Sequence, residues 1–516
     1  MHEQNNNPVL KHPEQAQSRD AGSTATRPQT ESKEPIDITH ELMIIGKEAV
    51  SASDGETIDV LDPSTGETFA TVPFGTERDV DKAVRTARQS FETDWGHLTA
   101  TERGRILMSW SNLILRDLEK LAELECRDTG KPISQANSDI RACARYFEYY
   151  GSAADKIHGQ TIPYSLDTSV MAIRVPLGVT AHIIPWNYPA QIYGRSVAAS
   201  LAAGNACVCK PAELACMTPL ALTRLGIEAG LPAGALNIVT GDGARTGSAL
   251  AAHPGIDHIS FTGSNATGSH VAQAAARNHV PVTLELGGKS PQILFSDANL
   301  KEAIPTVVNA IIQNGGQTCT AGSRVLIHRD IYDEVIETLA ARIRELTVGP
   351  GASDPHCGPL ISGPQRDRVQ RFVKLAESDK LRIAASASLP DDLPAGGFYL
   401  APMLIHRVPL EHQLEQQEIF GPILTAYSFR DEDDAVSLAN GTPYGLAASV
   451  WTQDGSRALR VAHRIQAGQV FINNYGAGGG IELPFGGVKH SGHGREKGFE
   501  GLLSFTTIKT ITTRYA

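Results

Sequence analysis

Residue types that could do chemistry occur at a few points of this 516-residue chain, and Cys319 is the most distinctive of them. It lies between small and polar residues in segment 314–324 (Asn-Gly-Gly-Gln-Thr-Cys-Thr-Ala-Gly-Ser-Arg). A thiol in such a setting is expected to be reachable, and its thiolate is a strong nucleophile. The alternative is a thiol that packs as a small apolar side chain, and we assign that role to the other six cysteines.

A carboxylate and a carboxamide stand at the ends of two predicted strands. Glu285 lies in the apolar run 282–286, where it is either solvated or held in a cleft as a base. Asn187 lies in the stiff segment Pro-Trp-Asn-Tyr-Pro at 185–189, where it either forms a turn or donates a hydrogen bond to an oxyanion. Because ligands bind beyond the carboxyl ends of strands in α/β sheets, both are candidate site residues.

Two further strand ends carry groups that suit a dinucleotide. Lys210 and Glu213 follow the run 206–209, and such a pair either binds ribose hydroxyls or forms a weak surface ion pair. Gly263 and Ser264 lie between a strand and a helix start, where backbone N–H groups suit a pyrophosphate. The glycine spacing there departs from GxGxxG, so this segment alone is a weak signal.

Strands that alternate with helices must position these residues. Apolar runs are separated by segments of helical spacing, such as 218–229 and 243–253; the runs are 178–184, 206–209, 236–240, 258–262 and 282–286. This alternation predicts parallel strands with crossover helices. We also predict helical regions at 79–91 and 101–128, and strands at 323–328 and 447–452.

Composition and charge exclude several classes of protein. The chain has 46 basic and 57 acidic residues, a net charge of −11, which argues against a surface that binds nucleic acid. No apolar stretch is long enough to span a membrane, and no basic run suits an anionic lipid surface. The seven scattered cysteines form neither a disulfide framework nor a zinc-ligand spacing, so we expect a reducing, cytoplasmic location and no metal site.

Taken together, seven motifs in order resemble the aldehyde dehydrogenase superfamily, from about residue 40 to 516. They are Pro-Trp-Asn-Tyr-Pro (185–189), Lys-Pro-Ala-Glu (210–213), Phe-Thr-Gly-Ser (261–264), Leu-Glu-Leu-Gly-Gly-Lys (284–289), Gly-Gln-Thr-Cys (316–319), Glu-Ile-Phe-Gly-Pro (418–422) and Pro-Phe-Gly-Gly-Val-Lys (484–489). The resemblance implies an α/β fold with a Rossmann-type NAD-binding domain (37–157 and 176–286), a catalytic α/β domain (287–502) and small oligomerisation strands (158–175 and 503–516). Residues 1–36, rich in Asn, Gln, Glu, Ser and Pro, are predicted to form a disordered or extended tail.

The resemblance also implies a role for each matching residue. Cys319 would attack the aldehyde carbon, Asn187 would hold the oxyanion, and Glu285 would activate the water that hydrolyses the thioester. The residues implied in cofactor binding are Trp186, Lys210, Glu213, Gly263, Ser264, Glu418 and Phe420. Glu213 favours NAD+, since it would face the 2′-phosphate of NADP+, although NADP+ remains an alternative. Glu285 favours hydrolysis over CoA acylation, because CoA-acylating relatives usually lack this acid; a non-catalytic scaffold is the remaining alternative.

The signals for the substrate conflict. Tyr188 and Ile192 lie in a segment that resembles the betaine and amino-aldehyde branches, and Glu482 is placed like an acid near the substrate channel of the betaine branch. Arg195 instead resembles semialdehyde dehydrogenases, where it would pair with a carboxylate, unless it is a helix-surface arginine in a structural salt bridge. Both substrate classes stay open. A homodimer or homotetramer is expected, because the predicted oligomerisation strands would leave an unpaired edge.

Overall fold

The computed structural model describes residues 40–476 and 480–515, so the predicted tail at 1–36 lies outside the described residues. The strands are β1 (Met43–Ile45), β2 (Glu48–Val50), β3 (Thr57–Leu61), β4 (Thr68–Pro73), β5 (Gln160–Ser165), β6 (Thr168–Pro176), β7 (Val179–Ile184), β8 (Ala206–Pro211), β9 (Leu236–Ile238), β10 (His258–Thr262), β11 (Val282–Glu285), β12 (Pro291–Leu294), β13 (Arg324–His328), β14 (Arg382–Ser386), β15 (Met403–His406), β16 (Ile423–Phe429), β17 (Ala447–Trp451), β18 (Gln469–Ile472), β19 (Gly492–His493) and β20 (Thr506–Arg514). The α-helices are α1 (Glu77–Glu92), α2 (Ala100–Arg116), α3 (Leu118–Thr129), α4 (Ile133–Ala153), α5 (Pro189–Ala203), α6 (Met217–Glu228), α7 (Ser248–Ala251), α8 (Asn265–Ala276), α9 (Leu300–Ile312), α10 (Tyr332–Arg344), α11 (Gly363–Ser378), α12 (Gln413–Gln416), α13 (Glu432–Asn440), α14 (Gly455–Arg464) and α15 (Gly498–Leu503).

The first sheet is a doubly wound sheet with the order β19-β11-β10-β7-β8-β9-β1-β2. Strands β11, β10, β7, β8 and β9 run parallel, as predicted, and β19, β1 and β2 add antiparallel edges. The chain passes from β7 through α5 to β8 on one side, whereas β10 lies on the other side of β7. The crevice beyond β7 and β10 is therefore the switch point where ligands bind in such sheets.

The second sheet has the order β14-β15-β16-β13-β12-β17-β18 and is parallel except for β14. Its central strands are buried on both faces, as in β13, where Val325, Leu326 and Ile327 are fully buried. Strands buried on both faces read as continuous apolar runs, which is why β13 and β17 were predictable from the sequence. Helix α9 connects β12 to the segment that contains Cys319, which is followed by β13 of the same sheet.

A third, antiparallel sheet has the order β20-β6-β5. The resemblance implied one oligomerisation strand at 158–175, but the structure has two strands there, β5 and β6, which pair antiparallel with each other. The C-terminal strand runs from Thr506 to Arg514 along the whole of β6. Strand β5 forms the outer edge and is exposed along its length.

The helical region predicted at 101–128 is also two elements rather than one. Helix α2 ends and α3 begins at Asp117, whose backbone leaves helical geometry (φ −101°, ψ 19°). The apolar spacing continues on both sides of Asp117, so the periodicity alone could not show the break. Gly130 ends α3 in the left-handed conformation, which glycine adopts without a steric penalty.

Two features of the described residues bear on function. None of their helices is both long and apolar enough to cross a membrane. Within the same residues, no three or more His, Cys, Asp or Glu side chains gather in a way that could hold a metal ion.

Candidate active site

Cys319 lies in a loop that follows α9 and a tight turn. The backbone of Asn314, Gly315 and Gly316 is left-handed, with φ of 50°, 62° and 72°. A Cβ at Gly316 would come within 2.3 Å of the Gly421 backbone, so only glycine allows this close approach. Of the seven cysteines, Cys319 is the one that is not buried, and none forms a disulfide. The predicted contrast between one reachable thiol and six packed ones is confirmed.

The turn after β7 is fastened directly to the cysteine loop. The Asn187 amide donates to the carbonyl oxygen of Gln317 at 2.9 Å, and the Asn314 amide donates to the backbone oxygen of Asn187 at 2.8 Å. The Tyr188 hydroxyl lies 2.8 Å from that of Thr318. Helix α5 then starts with proline at its first position, where the missing N–H is harmless. These bonds bring Asn187, predicted as the oxyanion donor, next to the thiol loop.

Glu285 is the last residue of β11 and is buried, at 2 % exposure. In the described residues neither carboxylate oxygen has a hydrogen-bond partner. Burial, together with the negative charge of Glu496, raises the pKa of Glu285 well above its usual range. A Cβ at Gly486 would lie 2.8 Å from the carboxylate, so a glycine leaves room for it. A buried carboxyl with a raised pKa is suited to act as a base near neutral pH.

A single cleft of about 600 Å³ contains the thiol and most of the predicted cofactor residues. The predicted residues that line it are Trp186, Asn187, Gly263, Ser264, Glu285, Cys319, Glu418 and Phe420. The cleft opens beyond β7 and β10, at the switch point of the first sheet. Burial raises the pKa of Glu418 to about 7, and Oε1 of Glu418 accepts a hydrogen bond from the Gly288 N–H at 2.9 Å. The rings of Trp186 and Phe420 meet edge to face at 5.4 Å.

Lys210 and Glu213 lie at the end of β8, one strand away from the turn that carries Trp186. The Lys210 ammonium is buried and donates to the backbone oxygens of Pro211 at 3.0 Å and Gly241 at 2.6 Å. Its nitrogen is 3.8 Å from the Glu213 carboxylate, which is one-third exposed. Lys210 is thus held by carbonyl groups and is not the surface residue of the alternative interpretation, while Glu213 remains open to a ligand.

A second, narrower cavity lies on the other side of Cys319. Four of the predicted residues line it, namely Tyr188, Ile192, Arg195 and Cys319. Arg195 is buried at 6 % exposure. The alternative of a helix-surface arginine in a structural salt bridge is therefore wrong about its exposure, whereas the salt bridge itself is present. Its guanidinium forms an ion pair with Glu496 and donates to the Thr262 hydroxyl at 3.0 Å.

Glu482 lies outside both cavities. Its carboxylate is half exposed and forms an ion pair with Arg145 at the surface. The expectation of an acid that faces the substrate is therefore not met. The resemblance to the betaine branch does not hold at this position, because Glu482 pairs with Arg145 of α4 instead of lining the cavity beside Cys319.

Several residues that line the two cavities were missed by sequence reasoning. In the cleft they include Gln365, Arg368 and Tyr444, and in the narrower cavity Phe485 and Lys497. Arg368 donates to the Glu418 backbone oxygen at 2.7 Å and so fixes the loop that carries this carboxylate. Phe485 lies in the motif 484–489 but was assigned no role, and no local pattern marks the other four, which come from distant segments of the chain.

Comparison with known proteins agrees with this geometry. The model of the aldehyde dehydrogenase family matches residues 50–511. An aldehyde dehydrogenase of Aspergillus niger is 39 % identical over 92 % of this chain and 95 % of its own length. A betaine aldehyde dehydrogenase of Bacillus subtilis (strain 168) is 38 % identical over 91 % of this chain and 97 % of its own length.

Solved structures have the same fold. The structure of a candidate aldehyde dehydrogenase from Burkholderia cenocepacia has a TM-score of 0.91 at 58 % identity, covering 92 % of this chain and all of that one. Betaine aldehyde dehydrogenase from Staphylococcus aureus, solved with NAD+, has a TM-score of 0.90 at 34 % identity, covering 92 % of this chain and 94 % of that one. The chain therefore belongs to the aldehyde dehydrogenase family and is an NAD(P)-dependent oxidoreductase of aldehydes.

Proposed function

We propose that this protein oxidises an aldehyde to a carboxylic acid with NAD+, through a covalent bond between the aldehyde carbon and the sulfur of Cys319. The observation that carries the proposal is one cleft lined by a partly exposed thiol, the Asn187 amide, and the carboxyl groups of Glu285 and Glu418. These groups come from four separate segments of the chain. A packing role requires no such convergence of nucleophile, donor and base.

The chemistry starts with the thiol. Burial raises the pKa of Cys319 to about 11, and the positive charge of Arg195 opposes this rise. The thiol therefore ionises as it reacts, with its proton passing to solvent through the open cleft. Its sulfur adds to the carbonyl carbon, and the carbonyl electron pair moves to oxygen. The Asn187 amide and the backbone N–H of Cys319 donate hydrogen bonds to this oxygen, a contribution of roughly 3–4 kcal/mol per donor.

The cleft suits a dinucleotide in size and in its donor set. Its volume of about 600 Å³ fits a large ligand. The Glu418 carboxylate in the cleft is available to accept hydrogen bonds from the hydroxyls of one ribose, and the pair Lys210 and Glu213 suits the other ribose of the dinucleotide. NAD+ bound in this cleft would supply the hydride acceptor that oxidation of the Cys319 adduct to a thioester requires. The Glu213 carboxylate repels a 2′-phosphate, so we propose NAD+ rather than NADP+.

Glu285 completes the cycle. Its carboxylate accepts a proton from a water molecule as the water oxygen attacks the thioester carbon. The carbon–sulfur bond then breaks, the sulfur leaves as the thiolate, and the product is the free carboxylic acid. The raised pKa of Glu285 suits this role, because a stronger base removes the proton more readily.

We also propose a homo-oligomer, a dimer or a tetramer, in the cytoplasm. The three-stranded sheet supports assembly, because β5 is an edge strand and Ile162, Met171, Ile508 and Ile511 are exposed large apolar residues on this sheet. The seven free cysteines support a reducing compartment.

A panel of acidic, neutral and cationic aldehydes tests the activity. We expect at least one class of aldehyde to produce NADH, measured by its absorbance at 340 nm. The free carboxylic acid is expected to accumulate without added CoA. Cys319→Ala abolishes NADH formation, whereas the matched control Cys357→Ala, at a buried thiol, retains it. Absence of NADH with every aldehyde would overturn the proposal, and a product that requires CoA would favour the acylating alternative.

A further inference from the structure

The narrower cavity beside Cys319 admits only a short molecule. It offers about 50 Å³ of space, a few times the roughly 10–15 Å³ that one water molecule requires. Aromatic and aliphatic side chains form much of its wall, namely those of Tyr146, Tyr188, Ile192 and Phe485. A ligand in so small a space lies against the whole wall. Each buried polar group of the wall therefore either binds the ligand or needs a partner within the protein.

Several polar side chains of the wall have such a partner. The Tyr188 hydroxyl lies 2.8 Å from the Thr318 hydroxyl, and the Gln191 amide donates to the Asp139 carboxylate at 2.6 Å. These groups are engaged within the protein and fix the shape of the cavity.

The two cations of the wall have carboxylates beside them. Arg195 forms an ion pair with Glu496. Burial and the charge of Arg195 lower the pKa of Lys497 to about 8, whereas the carboxylates of Glu285 and Glu496 act in the opposite direction. The charges around the cavity thus face opposite charges of the protein.

Tyr146 differs from these residues. It belongs to α4, lines the cavity and is fully buried, and in the described part of the chain its hydroxyl has no hydrogen-bond partner. Its ring stacks on that of Tyr150, with the centres 6.3 Å apart. Burial raises the pKa of Tyr146 above its usual range, although Arg195 opposes the rise, so the hydroxyl stays protonated and can donate. A buried donor without an acceptor is costly, and a ligand that supplies the acceptor removes this cost.

We propose that the Tyr146 hydroxyl selects short aldehydes that carry a hydrogen-bond-accepting oxygen remote from the carbonyl group. The inference rests on the proposed oxidation of aldehydes at Cys319 and assigns its substrate class. An aldehyde whose carbonyl carbon meets the Cys319 sulfur extends its chain into this cavity, because the cofactor cleft lies on the other side of the thiol. An oxygen in that chain accepts the hydrogen bond of Tyr146, whereas a purely aliphatic chain covers the hydroxyl and leaves it unpaired.

The test compares kcat/KM within two pairs of aldehydes, 3-methoxypropanal with pentanal and 4-methoxybutanal with hexanal. The members of a pair have chains of equal length and differ by one oxygen in place of one methylene group. An ether oxygen accepts a hydrogen bond, donates none and carries no charge, so the ratio reports the hydrogen bond alone. We expect the wild-type protein to prefer the ether in at least one pair.

Tyr146→Phe removes the hydroxyl and keeps the ring. We expect the ether-to-alkanal ratio of the preferred pair to fall about 3- to 10-fold, as for the loss of one neutral hydrogen bond. The matched control is Tyr150→Phe on the same helix, whose hydroxyl is also buried and without a partner in the described residues but does not line the cavity. It leaves the ratio unchanged. Both variants are expected to keep the wild-type Tm, because neither loses a hydrogen bond within the protein.

Each outcome bears on one claim. A wild-type ratio that favours the alkanal in both pairs, or a ratio that Tyr146→Phe leaves unchanged, overturns the role of Tyr146 while the proposed oxidation stands. An equal fall of the ratio in Tyr150→Phe overturns it as well, because a general effect on packing would then explain the change. Oxidation of other aldehydes without oxidation of either pair overturns the substrate class only. If the wild type oxidises no aldehyde at all, the proposed function itself fails.

Discussion

Replacing Glu285 with Gln separates the two halves of the proposed reaction. The amide has nearly the same shape as the carboxyl group but cannot accept the proton of the attacking water. General base catalysis contributes about 10²- to 10⁴-fold, so the hydrolysis of the thioester slows by that factor. Bond formation to Cys319 and loss of hydride do not involve this carboxylate and continue.

The environment of Glu285 indicates that the variant folds. Its carboxylate oxygens have no partners in the described residues, and Glu496 raises its pKa further. A neutral amide removes this repulsion and the penalty for a buried charge, so we expect a Tm no lower than that of the wild type.

Stopped-flow absorbance at 340 nm provides the assay. Glu285→Gln is expected to give a burst of about one NADH per active site, followed by a steady rate that is 10²- to 10⁴-fold below the wild-type rate. The control is Glu228→Gln, at an exposed carboxylate on α6, which turns over normally. Wild-type steady turnover in Glu285→Gln would refute the role of this residue as base.

Two further predictions concern stability. Lys131→Met removes a fully buried cation that lies 3.0 Å from Glu125 and also pairs with Asp139, so the free energy of unfolding falls by about 3–5 kcal/mol in urea titrations. Burial lowers the pKa of His182 to about 3 and of His258 to about 4, below the usual 6.5. The unfolded chain therefore binds protons first as pH falls below 6.5, and each imidazole destabilises the fold by about 2 kcal/mol at pH 5.

Each of these predictions has an outcome that contradicts it. A loss below 1 kcal/mol in Lys131→Met, as expected for an exposed pair, would show that the buried ion pairs contribute little. For the histidines, the measurement is the difference in urea midpoint between pH 7 and pH 5. That difference is expected to shrink in His182→Gln, and an unchanged difference argues against a neutral buried imidazole.

The sequence predicted best where the chemistry lies next to regular structure. Asn187 and Glu285 stand at the ends of apolar strands, and parallel strands bring their carboxyl ends to one edge. Cys319 was predictable because small and polar residues surround it in the chain. The break at Asp117 was not, because the apolar spacing runs through it without a change.

The narrower cavity shows what local patterns cannot reveal. Arg195, Thr262 and Glu496 lie far apart in the chain, and only tertiary packing joins them. The sequence gives no sign that Arg195 already has a buried counter-ion, nor that Lys497 lines the same cavity. Pairings of this kind depend on the approach of separate segments, which periodicity and composition do not encode.

The most direct test of the central claim is the mass of the protein trapped in the middle of its reaction. Glu285→Gln, mixed with NAD+ and an aldehyde and quenched during the burst, is expected to gain the mass of the aldehyde less two hydrogens. Peptide mapping is expected to place this acyl group on Cys319. An adduct on another residue would contradict the proposed mechanism. So would an undiminished NADH burst in the double variant that carries both Cys319→Ala and Glu285→Gln.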